Sequence, residues 1–152
     1  MWEEFRSHAL PVLGEDLVPE LIEDNGDSIV FTSRRDYTSY VLTETERGII
    51  IAYEGERNTV VPFCITQSLE RAATCLTLLV RDGIATLTDM SYTPQDLLGP
   101  VPHTTFSISK KSLPFFDLTS TIDHTVSAKC RSFACAQAIA EASAPSLGSP
   151  RP

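Results

Sequence analysis

The fold is decided by residues 28–83, which read SIVFTSRRDYTSYVLTETERGIIIAYEGERNTVVPFCITQSLERAATCLTLLVRDG. The first part of this stretch contains short runs rich in β-branched and aromatic residues, a composition typical of β-strands. Only a few charged or glycine residues separate the runs, and connections that short can join antiparallel neighbours but not parallel ones. The predicted strands are Ser28–Ser33, Tyr37–Thr43, Gly48–Tyr53 and Thr59–Ile65.

An amphipathic helix is predicted directly after the fourth strand, at Gln67–Asp82. Its apolar residues recur at intervals of three and four, which places them on one face of an α-helix. Thr66 is a suitable N-cap, and Gly83 suits the position that follows a helix. We expect the helix to pack on the sheet through Leu69, Ala72, Leu76 and Leu79. The predicted fold class is therefore α+β, an antiparallel β meander with packed helices in a single domain.

The first residues of the chain show a second helical pattern. Trp2, Phe5 and Ala9 share a face at helical spacing, and Pro11 is expected to end that helix because proline lacks the backbone donor. A short second helix is expected around Pro19, which could occupy its first turn.

The part of the chain after Gly83 has weaker periodicity. The sequence predicts a domain over residues 1–142 and a disordered tail over 143–152, since the tail is rich in Ser, Pro and Gly. Within the domain the patterns indicate strands at Ile84–Thr88 and Thr104–Ser109, a proline-rich loop at Thr93–Pro102 and a helix at Ala128–Ala142.

Charge limits the classes of partner. The 152 residues have a net charge of −8 and contain only 12 Lys and Arg. Binding to nucleic acid needs a basic surface, and anionic membranes repel an acidic protein, so we expect neither as a partner. The acidic N-terminus is unlike a signal peptide and no segment has the roughly 20 apolar residues of a membrane span, which favours a cytoplasmic protein. A basic protein partner fits the charge, although acidity can also serve solubility alone.

Motifs for catalysis are missing from the sequence. It contains no glycine-rich phosphate loop, no nucleophile elbow and no H-E-x-x-H zinc motif. Asp123 and His124 lie near Cys130, but they are expected to form a helix entry rather than a Cys–His dyad. The chain has no C-x-x-C, and its cysteines are expected to be small core residues. We therefore predict that the protein is not an enzyme and has no catalytic residue, no metal site and no cofactor.

The connections of the meander carry the candidate binding residues. Two of them are acidic, and because they flank the same strand they must emerge at its opposite ends. Either tip could contact a partner, and we expect only one of them to do so. The candidate partner-binding residues are Glu44, Glu46, Arg47, Glu54 and Glu56.

Two segments resemble a known family. Tyr40–Gly48, YVLTETERG, resembles the segment that precedes the helix in the tuberculosis necrotizing toxin immunity family (immunity protein 61 type). Ser68–Leu79, SLERAATCLTLL, is similar to the helix of that family, and the likeness covers roughly Ile29–Ile84. The resemblance implies an antitoxin that binds a cognate toxin, such as an NAD glycohydrolase, and blocks its active site without catalysis.

A different class of protein also resembles the predicted order of elements. Class I chaperones of type III secretion are acidic homodimers that wrap an effector segment around an exposed hydrophobic surface. They have three strands before the middle helix, whereas four are predicted here. The sequence leaves the oligomeric state open.

Overall fold

The computed structural model describes residues 2–55, 57, 59–87, 101–102, 106–112 and 114–148. The chain forms two compact units, unit 1 (Met1–Gly83) and unit 2 (Ile84–Pro152). Each unit combines antiparallel strands with helices, so the predicted α+β class and the antiparallel meander with packed helices are confirmed. The domain boundaries at 1–142 and 143–152 stay predictions, with residues 149–152 outside the described residues.

Unit 1 is an antiparallel meander in which every strand pairs with the next one along the chain. The strand order is therefore β1-β2-β3-β4-β5. The elements are α1 Trp2–Leu13, a 3-10 helix Pro19–Leu21, β1 Glu23–Asp24, β2 Ser28–Thr32, β3 Ser39–Thr45, β4 Gly48–Glu54, β5 Val60–Thr66 and α2 Leu69–Asp82.

The predicted strands are all present in unit 1, and their ends differ by one or two residues. The largest differences are in β3, which begins at Ser39 rather than Tyr37 and ends at Thr45 rather than Thr43. The Asp36 carboxylate accepts a hydrogen bond from Thr38 N at 3.0 Å, and Tyr37 N donates to Ser33 O at 2.9 Å. These bonds form a turn that leaves Tyr37 in the left-handed region, with φ 58°. Local side-chain bonding by aspartate thus delays the start of the strand.

The core of unit 1 lies between the helices and one face of the sheet, which we call the inner face. Burial alternates along β2, β3 and β4, because residues such as Ile29, Leu42 and Ile51 are buried while Val30, Val41 and Ile50 are only half-buried. The buried residues of this face include Ile29, Phe31, Tyr40, Leu42, Ile49 and Ile51. Both helices cover them and contact each other.

Helix α2 packs as predicted, through Ala72, Leu76 and Leu79, all fully buried. Leu69 is half-buried. The predicted N-cap was wrong by two positions, because Ser68 and not Thr66 caps the helix. Ser68 Oγ accepts a hydrogen bond from Arg71 N at 3.1 Å.

Helix α1 differs from its predicted form because it continues through Pro11 to Leu13. The side chain of Leu13 is fully buried, and Gly14 N donates to Leu10 O at 2.8 Å. These interactions continue the helix beyond the position where the proline removes one donor.

Unit 2 repeats the plan of strands followed by a helix, with the strand order β9-β8-β7-β6. Helix α4 contacts β7, β8 and β9, and Phe116 meets Phe133 edge-on with ring centroids 6.1 Å apart. The elements are α3 Ile84–Leu87, β6 Val101–Pro102, β7 Phe106–Ser112, β8 Phe115–Ser120, β9 Val126–Cys130 and α4 Phe133–Gly148.

Two predictions in this half were wrong. Ile84–Leu87 is one helical turn rather than a strand, and its Leu87 is buried where α3 contacts α4. The helix predicted from Ala128 begins at Phe133, because Ala128 and Cys130 belong to β9 and Ser132 Oγ accepts from Cys135 N at 3.2 Å. Such a cap starts a helix only after the serine.

Two further predictions fall partly outside the described residues. The strand predicted at Thr104–Ser109 is confirmed from Phe106 onwards by β7, whereas residues 104–105 lie outside. In the loop predicted at Thr93–Pro102, residues 93–100 lie outside the described residues, and Val101–Pro102 form β6.

Candidate binding surface

The turn between β3 and β4 places the first candidate residues at one end of the unit 1 sheet. Glu46 and Arg47 form this tight turn, and Glu44 pairs with Ile49 just inside it. Glu44, Glu46 and Arg47 are all exposed. The structure therefore brings these predicted residues together at one tip.

Several contacts fix the shape of this tip. Thr45 Oγ1 donates to Gly48 O at 2.8 Å and accepts from Arg47 N at 3.2 Å, while Gln67 Nε2 donates to Arg47 O. Gly48 has φ 128°, and a Cβ there would lie 2.5 Å from Thr66 O. Only glycine fits so close an approach. The backbone that carries Glu44 and Glu46 is thus held against the start of α2.

Other segments bring further carboxylates to the same end. Glu44 N donates to Asp27 O at 2.9 Å, so the turn between β1 and β2 lies beside this tip. The Asp24 carboxylate accepts from Gly26 N at 3.0 Å, and Trp2 Nε1 donates to Gly26 O at 2.8 Å. The first turn of α1 is therefore anchored here too, and α2 begins here after β5.

We call this region the acidic end. Its acidic residues are all exposed and come from four separate parts of the sequence. In the same turns and first helical turns, the basic residues are Arg47 and Arg71. The region is therefore strongly negative. Its carboxylates belong to Glu3, Glu4, Asp24, Asp27, Glu44, Glu46 and Glu70.

The opposite end of the unit 1 sheet carries charges of both signs. Glu54 is exposed at the end of β4, and Glu56 lies outside the described residues. Arg35 Nη1 donates to Arg81 O, and Arg34 donates from Nη2 to Leu17 O at 3.2 Å. The structure thus separates the two predicted tips by their surroundings, one among carboxylates and one among arginines.

The sequence pattern did not single out one tyrosine at this end, where charges of both signs lie. Tyr37 was placed inside a strand, but it lies in the turn and is 67% exposed. The sequence signal that could have found it is Asp36, whose side chain favours a turn.

The residues tested for catalysis are scattered in the structure. Asp123 and His124 lie in the turn between β8 and β9, not at a helix entry, and His124 has φ 62°. Hydrogen bonds from Thr125 lower the pKa of the Asp123 carboxyl. His8 is exposed on α1, and His103 lies outside the described residues. The cysteines are buried thiols, as predicted: Cys64, Cys75, Cys130 and Cys135.

The second face of the unit 1 sheet, opposite to the inner face, is the outer face. Its side chains alternate with the inward ones along β2, β3 and β4, and its apolar residues lie among Ser and Thr such as Ser39, Thr43 and Thr45. In β5 a register shift opposite Ile51 and Ala52 leaves both Phe63 and Cys64 buried and restores Pro62 to the outer face. The proline thus lies at a bulge, where a residue without a backbone donor is tolerated. The apolar members are Val30, Val41, Ile50, Ala52, Val60, Pro62 and Ile65.

Comparison with known proteins adds no relative. No family model, no curated protein and no solved structure matches this chain. In the described part of the chain, none of the helices combines the length and apolar character that a membrane span needs.

Proposed function

We propose that this chain is a non-catalytic inhibitor that binds a partner protein and covers a positively charged site with its acidic end. One observation carries the proposal: four separate parts of the sequence contribute exposed carboxylates to one end of unit 1. These carboxylates stand on a backbone fixed by side-chain and backbone hydrogen bonds. A fixed surface loses little conformational entropy on binding, which favours affinity.

The partner that fits this surface is an enzyme with an anionic substrate. A site that binds a pyrophosphate, such as the one in NAD, presents cationic groups and hydrogen-bond donors. Carboxylates can occupy such a site in place of the phosphate oxygens. The resemblance to the immunity family points to a cognate toxin with NAD glycohydrolase activity, so the proposed role is that of an antitoxin.

Electrostatics make the proposal measurable. A net charge of −8, concentrated partly at one end, should attract a basic site over a distance and speed association. Added salt screens this attraction, so the association rate should fall as ionic strength rises. We expect the Glu44 and Glu46 tip to make the contact, because its surroundings are acidic.

The test compares charge reversals at the two tips. Wild-type protein, Glu44→Lys/Glu46→Lys and the matched control Glu54→Lys/Glu56→Lys serve as baits for affinity capture from the native organism. The protein retained by wild type is then purified and mixed with each variant in stopped flow at low and high salt. We expect the association rate to drop by about tenfold or more at low salt for the first pair and to change little for the second.

Different results would refute the proposed contact surface and the proposed antitoxin role. Equal association rates for wild type and Glu44→Lys/Glu46→Lys would remove the acidic end from the contact. A captured partner that does not hydrolyse NAD, or whose NAD hydrolysis is not inhibited by the wild-type chain, would refute the antitoxin role against this class of toxin.

A further inference from the structure

The outer face of unit 1 has the composition of a buried surface. Val30, Val41 and Ala52 occupy adjacent positions across three strands, and Ile50 and Ile65 pair across the next row. These neighbouring side chains form one continuous apolar patch. Patches of this kind on a protein surface commonly mark a binding site.

The elements of unit 1 leave this face unused in their own packing. Helices α1 and α2 pack on the inner face, where the fully buried residues lie. On the outer face Ala52 is buried, Val30, Val41, Ile50 and Ile65 are half-buried, and Val60 is 54% exposed. A sheet with one apolar face against helices and a second apolar face accessible to solvent can bury more surface only by binding another element.

The charges on the strands indicate which side chains a bound element should have. The five strands of unit 1 contain no Lys or Arg, and all of their residues are described. Glu23 pairs with Val30, and Glu54 pairs with Val60, so a carboxylate stands at each side of the apolar patch. Both glutamates are exposed. The charged side chains that share the outward register with the apolar centre are therefore these two glutamates.

We propose that the outer face of unit 1 binds an amphipathic helix of a partner protein, with an apolar stripe flanked by Lys or Arg. The sizes agree along β5, where Val60, Pro62 and Ile65 face outwards over a strand of seven residues, roughly 23 Å or the length of about 15 helical residues. A second copy of this chain fits less well, since it would bring two more glutamates to the same surface. This surface is distinct from the acidic end and does not depend on the proposed function.

The experiment uses the full-length protein and a synthetic peptide of 18 residues, about five helical turns, built from leucine and lysine with helical periodicity. A peptide of identical composition in scrambled order controls for charge alone. Fluorescence anisotropy measures the dissociation constant of each peptide. We expect the periodic peptide to bind about tenfold or more tightly than the scrambled one, because only it presents an apolar stripe.

Paired variants assign the binding to the outer face. Val41→Thr/Ile50→Thr keeps the branched side chains but adds hydroxyls, and should weaken peptide binding by about tenfold. Val41→Ile/Ile50→Val is the matched control and should stay within about twofold, because the face remains apolar. Circular dichroism melting curves confirm that each variant is folded.

The charge variants separate this inference from the proposed function. Glu23→Lys/Glu54→Lys should weaken peptide binding, whereas Glu44→Lys/Glu46→Lys should leave it nearly unchanged. Equal binding of the scrambled peptide, or retention of binding by Val41→Thr/Ile50→Thr, would overturn the proposal. So would analytical ultracentrifugation that shows a dimer converted to a monomer by Val41→Thr/Ile50→Thr, since the face would then belong to a second copy.

Discussion

In each unit one face of the strands packs on helices, and we call the opposite face of unit 2 its outer face as well. The outer faces of the two units carry different side chains. The outward residues of unit 1 include Val30, Val41 and Ile50 beside Ser and Thr, while those of unit 2 include Ser109, Asp117 and Lys129. Both inner faces are apolar and packed against helices. The difference is one of charge, because unit 2 holds a charge pair at outward positions whereas unit 1 holds an apolar cluster of the kind that commonly marks a binding site.

The polar outer face of unit 2 is organised by a charge pair. Asp117 and Lys129 lie opposite each other on β8 and β9, with 3.1 Å between Lys129 Nζ and Asp117 Oδ1. The Asp117 side chain is only 10% exposed, so its charge depends strongly on this partner. On its outer face, unit 1 has apolar side chains at the central positions of its strands instead of a charge pair.

Truncation of a buried side chain tests whether each helix is held on the inner face of its unit by packing. Leu76→Ala in α2 and Ile139→Ala in α4 each remove a fully buried side chain from a helix that packs on its own sheet. We expect each to lower the free energy of unfolding by about 2–5 kcal/mol, measured by denaturant titration. Leu78→Ala, which truncates a half-buried residue of α2, should cost less. A loss below about 0.5 kcal/mol for Leu76→Ala would mean that α2 is not packed as described.

Substitutions of Asp117 and Lys129 test how far the outer face of unit 2 depends on this charge pair. Lys129→Met removes the hydrogen-bond donor to a largely buried carboxylate and should lower the free energy of unfolding by about 1–3 kcal/mol. The double variant Asp117→Asn/Lys129→Met should recover part of that loss, because no buried charge remains. If Lys129→Met alone is neutral, the pair does not organise this face and the contrast weakens.

A smaller difference concerns the inner face of unit 1, where a buried hydrogen bond ties the sheet to α2. Tyr40 Oη donates to Leu79 O at 3.1 Å, and burial raises the pKa of Tyr40 to about 12. Tyr40→Phe should lower the free energy of unfolding by about 0.5–1.5 kcal/mol at neutral pH.

The pH dependence of this bond has a definite sign. The unfolded tyrosine ionises near pH 10.0 and the folded one near 12, so its stabilisation is complete below pH 10.0 and is lost as the pH rises towards 12. The difference in unfolding free energy between wild type and Tyr40→Phe, followed by denaturant titration, should shrink over that interval. A constant difference would show that the phenol is not held neutral.

The strands and the main helix were predictable because their signals are local. Alternation along β2 and β3 follows from the period of a strand, and the apolar stripe of α2 follows from the period of a helix. The errors came from side-chain bonds that periodicity does not contain. Asp36 turned the chain before Ser39, and Ser132 delayed the start of α4.

The candidate surface was predicted only in part. Glu44, Glu46 and Arg47 were found because acidic residues at a hairpin are visible in the sequence. Their neighbours Glu3, Asp24 and the start of α2 were not associated with them, since that association depends on the packing of α1 and on bonds between distant turns. The apolar outer face was hidden because the same alternation also fits a strand with a covered second face.

Helices α1 and α2 both begin at the acidic end, and this shared direction shapes its field. The N-terminus of a helix carries about half a positive elementary charge, and such partial charges act over the first turn. Close to the surface they offset part of the negative charge of Glu3 and Glu70, whereas farther away the full carboxylate charges dominate. An approaching cationic protein should therefore be drawn in from a distance more strongly than it is held by charge at contact. For the partner proposed above, short-range fit must supply the remaining affinity, so charge would speed the encounter and shape would set the selectivity.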